Sequence, residues 1–123
     1  MLPVLAICIG ASLGALARWG LGLWLTTAAF PYGTLASNLI GGYLIGIAVE
    51  MVLQLQLVSA EWRLFIITGF LGSLTTFSTF SAEAVELMAM QRYGWAMLHI
   101  GSHLAGSLLM TLLGICTVRW LAA

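Results

Sequence analysis

Between Gly72 and Ser81 the chain reads GSLTTFSTFS, with six hydroxyl side chains set around Phe77 and Phe80. A phenyl ring is negative on its face and positive at its edge. Two rings three residues apart share one face of a helix. Held edge-on among hydroxyls, they can attract a small anion while Ser78, Thr79 and Ser81 replace part of its water shell. The residues just before them suggest a second chemistry. Gly72 and the β-branched Thr75 and Thr76 weaken a helix. A helix interrupted there frees backbone carbonyls, which are natural ligands for a cation such as Na⁺. The bland alternatives are ring packing and hydroxyls bonded back to the preceding turn.

Two more polar stripes accompany this stretch. His99, His103, Ser107 and Thr111 recur every four residues, and Thr34, Ser37, Asn38 and Gly41 recur at spacings of three and four. Each set therefore lines one face of a helix. In a membrane such faces turn toward the bundle interior or a water-filled cavity, as a conduction route or as interhelical hydrogen bonds. His99 and His103 also have the spacing of metal ligands, but no Glu follows the first His and no third ligand is evident nearby. Glu83 and Glu86 follow Phe80 as vestibule groups or as the solvated end of a helix. Arg18 either gathers anions at an entrance or snorkels to the headgroups. Cys8 and Cys116 lie far apart in apolar runs and read as inert thiols.

The elements that must carry these groups are membrane helices. The chain has 123 residues, 62% of them hydrophobic and 7% charged. Its mean hydropathy is +1.09. That is too little polar side chain to cover a water-facing surface, so the expected solvent is lipid. The length suits one domain. Net charge is zero, with no Lys and no Asp, which leaves no basic face for nucleic acid. Four spans are expected over residues 3–25, 34–55, 61–90 and 93–121. The first reads as a membrane helix and not as a signal peptide. The third, about 30 residues long, would run to about 45 Å as a continuous helix against a core of about 30 Å. A break near residues 72–76 is the expected resolution.

Nothing strongly orients the chain. Arg63 and Arg119 fall on one face and Arg18 and Arg92 on the other, and the tryptophans are equally balanced. Either the signal is simply weak in a small protein, or copies insert both ways and pair antiparallel. Gly10 with Gly14 and Gly42 with Gly46 offer close-packing surfaces within one subunit or between two.

The stretch Gly72–Ser81, with Thr68-Gly69 before it and Glu83 after it, resembles the third-span signature of the Fluc fluoride channels, also called the CrcB family. The likeness extends to Ala17-Arg18-Trp19, Gly33-Thr34-Leu35, Asn38-Leu39-Ile40-Gly41, Gly106-Ser107 and Met110-Thr111. The resemblance implies an all-α membrane protein with four transmembrane helices per subunit, the third broken near its middle. It implies an antiparallel, dual-topology homodimer in the bacterial inner membrane with two fluoride pores. It further implies a central Na⁺ held by the backbone carbonyls of Gly72 and Thr75 from both subunits. Phe77 and Phe80 would be the pore aromatics, with Ser78 and Thr79 beside them and Asn38 the pore-facing amide. Ser107 and Thr111 would form a polar track, and Arg18 and Glu83 would lie toward the vestibules. The family pattern usually has Gly-Gly where this chain has Gly72-Ser73. A positive φ at residue 73 would strain a serine.

The implied activity is passive export of fluoride down its gradient, with no enzymatic step. The chain has no nucleotide-binding motif and no acidic residue in its first span. That argues against a small multidrug exporter, which trades substrate for protons on a Glu in that helix. A non-transporting membrane subunit, the other rival, gives no reason for the hydroxyl and phenylalanine cluster.

Overall fold

The computed structural model describes residues 1–54 and 58–123, with 53 and 54 described at the backbone only. The expected end of the second span at Leu55 lies outside the described residues. Among the described residues, four helices are long and apolar enough to cross a membrane: Leu2–Leu25, Tyr32–Val52, Ala60–Ala89 and Tyr93–Ala122.

Helix α1 covers Leu2–Leu25, with a proline in its first turn where a missing N–H costs nothing. It ends where Thr26 turns to extended backbone and bridges to Pro31. Helix α2 is Tyr32–Gln54. The third span is a composite. It opens with α3, Ala60–Arg63, capped by the Ser59 hydroxyl, which accepts from the Trp62 N–H. A π-helical stretch, Leu64–Leu71, follows, and then a single α-turn, α4, Gly72–Leu74. Thr75 and Thr76 are extended, at φ/ψ of −88°/153° and −153°/120°. Helix α5, Phe77–Ala89, then starts on a Thr76 cap. It closes in a turn at Gln91, a non-glycine residue at φ 57°. Helix α6 is Tyr93–Ala122.

The interruption is narrower than the sequence suggested. Gly72 and Ser73 remain helical, and only two residues leave the helix. The expected strain at Ser73 does not arise, because Gln91 is the one non-glycine residue with positive φ among those described.

Packing puts backbone against backbone. A Cβ on Gly10 would run into the Phe65 carbonyl and one on Gly14 into the Phe70 carbonyl, so α1 lies directly on the π-helical stretch. A Cβ on Gly46 would meet the Thr111 carbonyl, and one on Gly114 the Tyr43 carbonyl, so α2 lies as closely on α6. Gly42 approaches the Ser107 carbonyl in the same way, so both glycine pairs make contacts within the chain, where dispersion between close backbones replaces the hydrophobic effect that lipid does not supply. The interior is unusually polar. Thr34, Ser37, Glu50, His99 and His103 are buried, whereas Leu16, Leu108, Leu112 and many other large apolar side chains face outward. That arrangement reverses the pattern of a water-soluble domain and suits hydrocarbon outside.

Candidate functional site

The site is built where the two extended residues meet α2. Asn38 clamps Thr76 from both sides. The Thr76 N–H donates to Asn38 Oδ1 at 2.8 Å, and Asn38 Nδ2 donates to the Thr76 carbonyl at 3.0 Å. In an unbroken helix Thr76 N–H would reach back to Gly72 and Phe77 N–H to Ser73. Among the described residues neither of those backbone bonds is made; Thr75 N–H still bonds the Leu71 carbonyl at 3.1 Å. The Ser73 carbonyl instead accepts from Arg18 Nε at 3.0 Å. Arg18 thus has a backbone partner inside the protein while also lining a cavity. Thr76 Oγ1 caps α5 by accepting from Thr79 N–H at 3.2 Å and shares a 3.1 Å hydroxyl contact with Thr79.

Two cavities adjoin these contacts. One, about 430 Å³, is lined by Asn38, Gly72, Thr75, Phe77, Ser107 and Thr111 among others. The other, about 410 Å³, is lined by Arg18, Thr34, Thr79 and Glu83 among others. Phe77 is 78% exposed and its ring stands 5.4 Å from that of Phe80. Phe80 lies against the rings of His103 and His99, at 4.6 and 5.3 Å. Ser78 is exposed and contacts the Thr76 hydroxyl at 3.3 Å. The site residues expected from sequence are thus split between two cavities, with Phe77 lining the first and Phe80 packed on the histidines.

A cluster that sequence reasoning did not assemble lies beside Phe80. Glu83 accepts from the Thr34 hydroxyl at 2.5 Å through Oε1, and its Oε2 stands 3.4 Å from His99 Nε2. Glu83, His99 and His103 bring ligand-capable atoms within 4.8 Å of one another. The expectation that the two histidines have no third metal-ligating neighbour is therefore overturned. The tautomer nevertheless argues against a metal. Asn38 Oδ1 is committed to the Thr76 N–H, so Nδ2 is the atom that faces His103 Nδ1 at 3.0 Å, and it can only donate. Neutral His103 must then carry its proton on Nε2. A metal-bound histidine needs that lone pair and donates from its other nitrogen, the opposite arrangement. What remains is a buried Nε2–H donor with no hydrogen-bond partner. Glu83 Oε2 and both ring nitrogens of His99 likewise lack one. Buried polar atoms without partners are costly, which makes this cluster a candidate site. The sequence signal was the four-residue stripe on α6; its partner Glu83 sits on a different helix.

The family model described as "CrcB-like protein, Camphor Resistance (CrcB)" matches residues 5–115. A protein of Albidiferax ferrireducens named "Fluoride-specific ion channel FluC" is 61% identical over 124 residues, covering 100% of this chain and 95% of that protein. Proteins with the same name are similar from Variovorax paradoxus, 56% identical over 100% of this chain and 99% of that protein, and from Pseudomonas aeruginosa, 55% identical over 96% and 94%.

Proposed function

The chain belongs to the CrcB family, and from that membership we propose that it is a multi-pass membrane channel that lets fluoride leave the cell passively. It is not an enzyme. The observation that carries the reading is the Phe77–Phe80 pair at the interruption, flanked by hydroxyl donors and by the His103 Nε2–H. Ring edges and N–H or O–H donors solvate a small anion without a fixed positive charge that would welcome every anion. A narrow donor-lined route fits fluoride and excludes the larger chloride. In this reading Phe77, Phe80, Asn38, Ser78, Thr79, Ser107 and Thr111 line the path, with Arg18 and Glu83 toward its mouths.

Function as an antiparallel homodimer in the bacterial inner membrane is part of the proposal. A face bearing Asn38, Thr75, Ser107 and Thr111 beside an open cavity is poorly suited to lipid, which supports coverage by a second copy. Central Na⁺ belongs to the same reading. The Gly72 carbonyl has lost its helical donor to Asn38, and Gly72 and Thr75 line the same cavity. Neutral carbonyl oxygens are suitable donors for a hard monovalent cation. Two copies would present the set twice, and Na⁺ would supply the charge that fixes the seam between them.

The test is purified protein in liposomes loaded with fluoride or chloride. Rapid loss of the fluoride gradient and near-retention of chloride is expected; equal rates would remove the reading.

A further inference from the structure

The third span is held apart by an exchange of hydrogen-bond partners, and only half of that exchange falls to Asn38. A continuous helix would need two bonds here, from Thr76 N–H to the Gly72 carbonyl and from Phe77 N–H to the Ser73 carbonyl. Asn38 takes the donor of the first bond, and Arg18 takes the acceptor of the second. Successive carbonyls on a helix point about 100° apart, so Ser73 can face α1 while Gly72 opens on the cavity it lines. We propose that Arg18 is a positioning residue for conduction: its Nε–H holds the Ser73 carbonyl out of the helix, and its charge is secondary. The guanidinium also sits at the negative end of the half-helix that finishes at Leu74.

The bonding atom gives the proposal a sharp test. Nε is the fourth side-chain atom of arginine, and the amide nitrogen of glutamine occupies the same position in the chain. Arg18→Gln therefore keeps a donor at the Nε position and discards the charge. Arg18→Lys keeps the charge and moves the donor one atom outward. A positioning role predicts fluoride efflux in the order wild type, Gln, Lys, Leu. Arg18→Leu should fall by about 10- to 100-fold, the scale of one lost charge-assisted hydrogen bond, while Gln stays within about threefold. A role in gathering anions predicts the reverse order for Lys and Gln, with flux that depends on ionic strength. An active Lys variant beside a Gln variant as slow as Leu overturns the proposal.

The effect on the carbonyl site rests on the sodium reading above and has its own readout. The melting temperature of the dimer should differ between Na⁺ and N-methylglucamine buffers for wild type and Arg18→Gln. Arg18→Leu should lose that difference, and a control at Arg63 should keep it. If wild type itself shows none, the sodium reading fails, and Arg18 is judged on the flux order alone. Should Arg18→Leu fail to fold, solid-state NMR on wild type decides. Arg18 ¹⁵Nε should lie within about 4 Å of the labelled Ser73 carbonyl carbon, as a hydrogen bond requires. A longer separation overturns the proposal.

Discussion

Helix α6 meets a carboxylate twice, Glu50 of α2 near one end and Glu83 of α5 near the other, and the two meetings differ. At one end Glu50, 5% exposed, receives Arg119 at 2.8 and 3.4 Å in a two-pronged contact, and the arginine side chain remains 63% exposed. At the other end Glu83 faces His99 at 3.4 Å, and the cluster holds four buried atoms without hydrogen-bond partners. The first arrangement is closed: its carboxylate is satisfied and has no capacity for a guest. The second is open, and Phe80 is packed against it. A satisfied buried pair pins helices, whereas the unsatisfied cluster beside the aromatic pair is where the proposed ion path can be tested.

Mutations can break or sharpen this contrast. The largest effect is expected for Phe80→Ile at the open end. Liposome efflux of fluoride should fall by about two orders of magnitude, equivalent to about 3 kcal/mol at the limiting barrier. The variant should still elute at the wild-type position by size exclusion, and wild-type flux would reduce the ring to packing. His103→Leu comes next. Losing the Nε2–H donor and the Asn38 partner together should slow efflux about 30-fold, the scale of one or two hydrogen bonds. At the closed end Arg119→Leu should leave efflux per folded protein within about twofold, because its partner Glu50 lies outside the proposed path. It should still lower the melting temperature by several degrees, since Glu50 keeps its burial and loses its partner. A large flux defect there would erase the distinction between the two ends. The smallest effect is expected from Zn²⁺. Micromolar Zn²⁺ or a chelator should leave efflux unchanged, because the His103 tautomer presents a proton where a metal needs a lone pair. Inhibition abolished by His99→Ala would refute that assignment.

Much of the architecture was legible because lipid imposes it. Long apolar runs leave little choice but helices, and the Gly72–Thr76 weakness located the interruption to within a few residues. The π-helical geometry of Leu64–Leu71 was not legible: eight mostly apolar residues carry no pattern that separates one helical period from another. Asn38 and the α6 stripe could be read from spacing, but their meeting with Glu83 depends on how α5 crosses α6. Arg18 was recognised as a charge in need of a partner. That the partner is a backbone oxygen 55 positions away follows only from the glycine-tight contact between α1 and the third span. The pairing of two copies, the bound sodium and the ion contacts rest on family resemblance and on the proposals above.

Backbone-tight packing has a mechanical consequence. The half of the third span before Thr75 is bolted to α1, while the half after Thr76 leans on α6, itself fused to α2. The two halves of the third span thus rest on different helices, and the extended residues between them are held to α2 through Asn38. A change in tilt of α1 relative to α6 would therefore be felt at Thr75 and Thr76, between the Gly72 carbonyl and the phenylalanine rings.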